Sequence, residues 1–485
     1  MHKVNTQDAP ALTPIKARTI EDVGRFTPTS RIDAPVAHAL NTVYEFAVLN
    51  NISDIHMEFD DIDGLEMRVR INGDLQPFGE LMHPDAARLA KTKVCAKAKL
   101  DDQERLLPQD GRMMLYFGGR RVDIRLAITP TVSGYVIVSR LLDSDNSNTR
   151  LDRLEVSFIV KEAMKHVISH PEGMVLMSGP TGSGKTTTLY ALLRELKDIT
   201  RHILTIENPV EYSVKTFTQI DIDNRLTFSK AMRAALRMDP DIIMVGEIRD
   251  LESAEIAVQA GQSGHMVLST VHANSAVDTI VRLASLGLES YHISPVLTAV
   301  IAQRLIKRIP DDAQFEWAPP NEIEKEWLIS RGVYYPHMKF PVISDRVLSG
   351  RIPIIEMIEI NHEIRGMIDA NASAVDIVEV AAKQDQFETL SQSGVRLALA
   401  GKTTLKQVMG ATGDTAITPK HQRFEQKLIT SGHLTIENLD KAQQLRVERM
   451  AKGDNTALHI IMLEQKFIKQ ADLDDIGFKD IKKVK

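Results

Sequence analysis

A glycine-rich loop, GPTGSGKT at residues 179–186, carries the residue types needed to bind a polyphosphate. Glycines let successive backbone N–H groups point inward, and a following helix N-terminus adds positive potential. Lys185 can reach the β- and γ-phosphates of a nucleotide, and the Thr186 hydroxyl can bind Mg²⁺. A plain glycine turn is the alternative. The predicted nucleotide-binding residues are Gly179, Thr181, Gly182, Ser183, Gly184, Lys185, Thr186 and Thr187.

The segments on either side of the loop favour nucleotide binding. The apolar run Val175, Leu176 and Met177 predicts a buried parallel strand that leads into the loop. An amphipathic helical run, residues 187–197, follows the loop directly. Strand, glycine loop and helix therefore come in the order that a phosphate loop requires.

Three acidic residues follow predicted strands downstream of the loop. In the run HILTIENPVEY at residues 202–212, Glu207 and Glu211 come after the apolar part of the strand, and Glu247 follows the apolar strand 242–245. Strand ends line the ligand crevice of an open parallel sheet. Glu207 and Glu211 are therefore candidates to orient or deprotonate an attacking water, although the same spacing suits a surface turn. Glu247 is a candidate to hold Mg²⁺ through water or to activate the nucleophile.

Two histidines flank the next predicted strand, HMVLSTVHAN at residues 265–274. A lone histidine on a strand is more often a structural hydrogen-bonding group. We expect this strand to bring His265, Thr270 and His272 to the edge that carries the carboxylates. That arrangement favours a role in sensing the γ-phosphate.

Upstream of the loop, residues 37–145 predict an α+β domain of strands, a helix and glycine turns. Arg112, Arg125 and Arg140 lie at or near strands that should form one sheet. An arginine on a strand is usually solvated or ion-paired. The alternative is that this domain lends guanidinium groups to the γ-phosphate, and the sequence does not decide between the two.

The composition excludes several classes of protein. The chain of 485 residues is long enough for about three domains. Its single cysteine, Cys95, excludes an internal disulfide and a cysteine-rich zinc site. A formal net charge of −6 argues against broad nucleic-acid binding. Because no apolar run suits a signal peptide or a membrane span, we expect a cytoplasmic protein, or one held at a membrane by partners.

The runs GPTGSGKT, IENPVEY, DPDIIMVGEIRD and GHMVLSTVHAN resemble, in order and spacing, four boxes of a known family. These are the Walker A, aspartate, Walker B and histidine boxes of the secretion ATPases that drive type II secretion and type IV pili. The resemblance covers about residues 37–414. It implies an α/β fold in which a RecA-like P-loop ATPase domain with a parallel-rich sheet follows an α+β PAS-like domain. It also implies a ring-shaped homohexamer.

The same resemblance implies roles for individual residues. Glu211 resembles the catalytic glutamate of the aspartate box, in which Asn208 replaces the usual aspartate and leaves Glu207 and Glu211 as the only carboxylates. Glu247 resembles the Walker B glutamate. The remaining matches are the paired histidines, His265 and His272, and the arginines that reach the phosphates from the N-terminal domain, Arg125 and Arg140.

One departure from the family concerns zinc. Assembly and secretion members commonly carry two CxxC pairs that bind zinc, whereas residues 310–356 contain no cysteine. They contain instead an insertion, residues 310–352, with Trp317 and Trp327, whose helical packing is expected to replace the metal. This zinc-less insertion resembles the divergent type IVb pilus branch.

The last seventy residues contain a repeat, because FEQKLITSGHLTIENLDKA aligns with LHIIMLEQKFIKQADLDDI. Each copy predicts two short helices separated by a turn, so together they predict a small helical bundle. The pattern resembles the helical repeat that docks secretion ATPases on membrane partners and in some members binds a cyclic dinucleotide. Arg423 fits the nucleotide motif, but Glu425 stands where that motif needs glycine, which favours protein docking.

These features predict four segments: an N-terminal arm at 1–36, the PAS-like domain at 37–145, the RecA-like domain at 146–414 and a helical docking domain at 415–485. The resemblance implies a hexameric motor that hydrolyses ATP with Mg²⁺ and without zinc. It would power assembly of a type IV pilus, of type IVb, at the inner membrane. Its expected partners are a polytopic inner-membrane platform protein and other pilus or secretion assembly proteins.

Three alternatives accompany this interpretation. The first is the ATPase of a type II secretion system. The second, from another class, is a DNA-translocating conjugative ATPase, against which the acidic balance of the chain counts. The third is a module that binds nucleotide without hydrolysing it, which the presence of Glu211, Glu247 and both histidines disfavours.

Overall fold

The computed structural model describes residues 25–28, 31, 33–50, 52–71, 74–117, 120–143, 150–197, 200–212, 214, 216–222, 226–413, 419 and 423–478. Most of the predicted N-terminal arm lies outside these residues. The chain divides into two compact units, Met1–Asn146 and Ser147–Lys485.

The first unit is an antiparallel sheet with two helices. Its elements are α1 (Ala34–Leu49), β1 (Asp54–Asp60), β2 (Gly64–Ile71), β3 (Asp74–Pro77), α2 (Pro84–Ala98), β4 (Gln109–Phe117), β5 (Arg120–Thr131) and β6 (Gly134–Asp143). The strand order is β3-β2-β1-β6-β5-β4. In β1, Ile55, Met57 and Phe59 are buried with residues of both helices, whereas His56 and Glu58 are half-buried. This period of two gives the sheet an apolar helix-covered face and a polar face.

The second unit begins with the elements that surround the phosphate loop. They are a 3₁₀ turn (Leu151–Arg153), α3 (Phe158–Ile168), β7 (Gly173–Ser178), α4 (Lys185–Glu195), β8 (Ile203–Glu207), β9 (Thr218–Asp221), α5 (Phe228–Ala235), β10 (Ile242–Val245), α6 (Leu251–Gln262), β11 (Met266–Val271), α7 (Ala276–Ser285) and α8 (Ser290–Ile293). The later elements are β12 (Leu297–Lys307), β13 (Glu316–Ala318), α9 (Glu322–Ser330), β14 (Phe340–Val342), β15 (Arg351–Glu359), α10 (His362–Asp369), α11 (Ala374–Ala381), α12 (Leu390–Leu399) and α13 (Leu405–Thr412).

The main sheet of this unit has seven strands in the order β15-β12-β7-β11-β10-β8-β9. Its pairings are parallel except that of β15 with β12. Met174 and Leu176 of β7 belong to one apolar core, and Val175 and Met177 belong to another. The strand is apolar throughout because both faces of the sheet are covered.

The insertion forms a small subdomain on the same unit. Strands β13 and β14 pair antiparallel, and α9 begins at a capping box on Asn321. Trp327 and Leu328 of α9 are buried in the main core, whereas Trp317 is largely exposed. Within the described residues, no group of three or more His, Cys, Asp or Glu side chains is placed to hold a metal.

The tail forms the helical bundle that the repeat predicts. Its helices are α14 (Phe424–Thr430), α15 (Ile436–Met450), α16 (Leu458–Glu464) and α17 (Gln470–Asp475). Gly432 and Lys466, which align in the repeat, both adopt left-handed φ angles, of 79° and 58°. Repeat positions share one apolar core, namely Leu428, Leu434, Leu439, Met462, Ile468 and Leu473. No helix in the described ranges is long and apolar enough to cross a membrane.

Polar contacts join the tail to the rest of the second unit. Arg446 Nη1 donates to Asp385 Oδ2 at 3.1 Å, and Arg423 Nη1 donates to the Gln384 carbonyl at 2.7 Å. Glu425 is only 4% exposed, and its Oε2 lies 3.9 Å from Arg423 Nε. A buried carboxylate thus occupies the position at which a cyclic dinucleotide motif needs glycine.

Candidate nucleotide site

The phosphate loop lies between the last residue of β7 and the first residue of α4. Gly182 and Gly184 have φ angles of 79° and 83°, a region that glycine adopts without steric cost. A Cβ atom on Gly184 would lie 2.8 Å from Gln303 Nε2, so the loop packs closely on β12. A Cβ on Gly182 would meet no atom of the described residues within 4 Å. The loop therefore packs against β12 at Gly184 and has open space beside Gly182.

The loop lysine links this turn to two carboxylates. Lys185 Nζ donates to the carbonyls of Gly179 at 2.8 Å and Pro180 at 3.1 Å. Burial, and then the charge of Arg304, lower the pKa of Lys185, whereas Glu247 and Glu211 act in the opposite direction. Both acids therefore lie within electrostatic reach of the lysine. The arrangement brings together the loop and the two predicted carboxylates.

Glu247 is paired at the carboxyl edge of the sheet. It forms an ion pair with Arg249, and His272 Nε2 lies 3.6 Å from its Oε2. Thr270 Oγ1 donates to the Gly246 carbonyl at 2.7 Å, which joins the ends of β10 and β11. Glu247, Thr270 and His272 thus share the edge at which the phosphate loop lies.

His265 does not share that edge, and the expectation that it would is wrong. Its carbonyl accepts from the N–H of Gly173, the first residue of β7, and its Nδ1 lies 3.0 Å from the Ala260 carbonyl. The whole of β11 separates His265 from His272, a distance of about 20 Å at the rise of a strand. The two histidines flank one strand, and the ends of a strand lie at opposite edges of the sheet.

Glu207 occupies a buried hydrogen-bond network at the end of β8. Its side chain is 3% exposed, and its Oε1 accepts from Tyr190 Oη at 2.6 Å and Thr205 Oγ1 at 2.7 Å. Burial raises the pKa of Glu207, against hydrogen bonds that include the backbone N–H of Glu211. Glu211 itself is half-buried. Of the two acids, Glu211 is therefore the less buried.

Gln303 of β12 contacts the loop, and Arg304 lies near its first glycine, because a Cβ on Gly179 would be 3.2 Å from Arg304 Nη1. Neither residue was singled out from the sequence. Gln303 Nε2 donates to the Ser183 carbonyl at 2.7 Å, and its Oε1 accepts from Thr188 Oγ1 at 2.8 Å. Arg304 Nη2 donates to the Asn274 carbonyl at 2.8 Å. The sequence feature that could have identified them is their polarity, because they are the two polar residues in the otherwise apolar run AVIAQRL. Their position at the loop depends on β12 lying beside β7.

Glu356 of β15 is a further buried carboxylate near this edge. It is 4% exposed, and it accepts from the backbone N–H of Ala276 at 2.7 Å and of Leu390 at 3.3 Å. These are the first residues of α7 and α12, so the side chain faces the positive ends of two helices. Burial nevertheless raises the pKa of Glu356 to about 7.

Replacing Glu356 with glutamine should make stability less dependent on pH. A raised carboxyl pKa gives stability that is present below the unfolded-state value and is lost as pH rises through about 7. The quantity to compare is the melting temperature of the wild type minus that of Glu356→Gln. This difference should be lower at pH 8 than at pH 5 by on the order of 5 °C. Glu255→Gln, at an exposed position of α6, is the control. A difference between wild type and Glu356→Gln that is constant with pH would contradict the assignment.

The three arginines of the first unit lie side by side on its sheet. Arg112 is opposite Arg125, and Arg125 is opposite Arg140, across β4, β5 and β6. Directly opposed residues project from the same face of a sheet. Arg140 Nε donates to Asp54 Oδ1 at 2.9 Å, which is the ion pair considered from the sequence. A row of like charges on one face also suits an anionic ligand.

A parallel, RecA-like sheet with a lysine-bearing phosphate loop and carboxylates at one edge defines a P-loop ATPase. Residues 29–410 match the family described as Type II/IV secretion system protein, and the chain belongs to this family. This confirms the family resemblance, and with it the assignment as an ATPase. The α/β fold with a helical tail is likewise confirmed.

Relatives come from both branches of the family. The chain is 37% identical to Type II secretion system protein E of Pectobacterium carotovorum subsp. carotovorum, over 78% of this chain and 76% of the relative. It is 39% identical to Type II secretion system protein HxcR of Pseudomonas aeruginosa, over 79% of this chain and 78% of the relative. It is 37% identical to Type IV pilus assembly ATPase PilB of Myxococcus xanthus, over 78% of this chain and 68% of the relative.

Solved structures agree with the fold. The pilus retraction motor PilT with bound ADP matches with a TM-score of 0.55 and 25% identity, over 77% of this chain and 96% of that chain. The Legionella pneumophila ATPase DotB matches with a TM-score of 0.56 and 19% identity, over 79% of this chain and 96% of that chain. The chain is thus an ATPase of secretion or pilus assembly. The relatives support the type II secretion alternative better than a type IVb pilus.

Proposed function

We propose that this chain is the ATPase of a type II secretion machine. The observation that carries the ATPase part of the proposal is that the phosphate loop and Glu247 follow parallel strands, on either side of β11, at the same edge of the sheet, where Lys185 also senses the charges of Glu247 and Glu211. Relatives named as type II secretion proteins, matched over most of their length, support the choice of system. In this proposal the chain acts as a homohexamer at the cytoplasmic face of the inner membrane and pushes on a polytopic platform protein.

The loop residues fit a magnesium nucleotide. The buried Oγ of Ser183 has no hydrogen-bond partner in the part of the chain that the structure describes. Within the described residues, the hydrogen-bond acceptors of Lys185 Nζ are two backbone carbonyls, and these are weaker partners than phosphate oxygens. Thr186 and, through water, Glu247 would hold Mg²⁺, which neutralises charge on the phosphates.

Hydrolysis needs a group that orients the attacking water and groups that stabilise the transferred phosphate. Glu211 orients or deprotonates the water, and Lys185 stabilises the leaving phosphates. His272 holds Glu247 in place through the contact between its Nε2 and the carboxylate. In this proposal Arg125 and Arg140 supply further positive charge to the phosphates, as the family resemblance implies. The cycle of closure and opening is the source of force, and the helical tail docks on assembly partners.

Deleting the gene in its own bacterium tests the choice of system. Loss of proteins from the culture supernatant with surface filaments retained is the expected result, restored by the wild-type gene and not by Lys185→Ala. Loss of filaments with normal secretion would instead assign the chain to pilus assembly, the second candidate, which the PilB relative favours. Stimulation of the purified ATPase by single-stranded DNA, and not by membranes that contain the platform protein, would support a DNA motor.

A further inference from the structure

A buried polar cluster joins the helix that begins at the phosphate loop to the segment that carries Glu211. Tyr190 lies on α4, which starts at Lys185, and its side chain is 1% exposed. Its hydroxyl donates to Glu207 Oε1 at 2.6 Å and lies 3.2 Å from the Tyr212 carbonyl. One hydroxyl thus contacts the end of β8 and the residue that follows Glu211.

Gln219 of β9 completes the cluster from the other side. Its Nε2 lies 2.9 Å from Tyr190 Oη and donates to the Tyr212 carbonyl at 2.8 Å. Its Oε1 accepts from the backbone N–H of Val214 at 2.7 Å. Both of its amide atoms are therefore bonded to the segment that follows Glu211.

Glu207 holds the same segment from within β8. Its carboxylate accepts from the backbone N–H of Glu211 as well as from Tyr190 and Thr205. The rings of Tyr190 and Tyr212 also pack edge to face, with centroids 5.2 Å apart. Backbone groups on both sides of the Glu211 side chain are thus attached to α4, β8 and β9.

We infer that Tyr190 and Gln219 are positioning residues for ATP hydrolysis, which act with Glu207 to hold Glu211 at a set distance from the phosphate loop. The inference rests on the proposed function, because it gives Glu211 the water-activating role. A buried network of this kind is costly unless every member is bonded, and when bonded it specifies one arrangement. Small displacements of a catalytic group reduce the rate strongly, whereas nucleotide binding depends on the loop itself.

The test separates rate from binding. Tyr190→Phe should lower kcat about tenfold, with the KM for ATP and the affinity for a non-hydrolysable ATP analogue changed less than about twofold. Gln219→Ala should behave in the same way. The double variant Tyr190→Phe/Gln219→Ala should lose less than the product of the single losses, because the two side chains hold one segment.

Tyr135→Phe is the matched control. Its hydroxyl is also buried and donates to a backbone carbonyl, that of Ala87 at 3.1 Å, but it belongs to the first unit. It should leave kcat unchanged, which shows that loss of a buried hydroxyl is not enough. A Tyr190→Phe protein with wild-type kcat, or with KM raised as much as kcat is lowered, would overturn the inference.

Glu207→Gln distinguishes positioning from proton transfer. A positioning role predicts a loss close to that of Tyr190→Phe and much smaller than that of Glu211→Gln. Equal losses in Glu207→Gln and Glu211→Gln would overturn the assignment of Glu207. Undiminished hydrolysis by Lys185→Ala would refute the proposed function instead, so the two failures can be told apart.

Discussion

Lys185→Ala is expected to reduce ATP hydrolysis at least about 100-fold while the protein remains folded. The lysine side chain donates to the loop carbonyls of Gly179 and Pro180, and the charges of Glu211 and Glu247 act on it. Its loss removes the positive charge that stabilises the leaving phosphates, and alanine suits the first turn of α4. Steady-state phosphate release measures the rate, and thermal unfolding measures the fold.

Lys197→Ala provides the comparison for this variant. Lys197 is exposed and follows the end of the helix that Lys185 begins, so the same substitution is made outside the loop. It should hydrolyse ATP at the wild-type rate. Normal turnover by Lys185→Ala would mean that residues 179–186 are not the site of hydrolysis.

The second large effect is expected from Glu211→Gln. Glutamine keeps the size of the side chain but cannot accept a proton, so kcat should fall about 100-fold or more. Binding of ATP should be retained, because the loop and Lys185 are unchanged. Phosphate release and titration with a fluorescent ATP analogue measure the two properties separately.

Two further variants interpret the Glu211 result. Glu195→Gln, at an exposed position that ends α4, should be neutral. Glu247→Gln should weaken the magnesium-dependent step, because Glu247 contacts His272 and its charge acts on the loop lysine. A near-normal rate in Glu211→Gln together with a lost rate in Glu247→Gln would transfer the role of base to Glu247.

The lack of the family's CxxC motifs led to a preference for pilus assembly over secretion that the relatives do not favour. The absence of cysteine from residues 310–356 suggested a type IVb motor. The relatives matched over three quarters of the chain favour type II secretion. In the structure, α9 buries Trp327 and Leu328 in the main core. Apolar burial therefore anchors the insertion, and its lack of cysteines is weak grounds for choosing a branch.

Features encoded in contiguous residues were determined by the sequence alone. The strand, glycine loop and helix around Lys185 follow from a short apolar run, three glycines and helical periodicity within residues 174–197. The repeated tail is also predictable, because Leu428, Leu434 and Leu439 align with apolar residues of the second copy and all of these share one core. Local geometry depends on neighbours in the chain, and these are visible in any sequence.

Contacts between distant strands were decided only by the tertiary structure. Gln303 reaches Ser183 because β12 lies beside β7, and Arg112, Arg125 and Arg140 align because of the register of their strands. The burial of Glu207 depends on Tyr190 and Gln219, which come from other elements. Periodicity shows which residues face a core, but strand order and register arise from packing over long separations in the chain. The sequence does not distinguish the roles of His265 and His272. In the structure they lie at opposite ends of β11, so only His272 is at the edge that carries the phosphate loop.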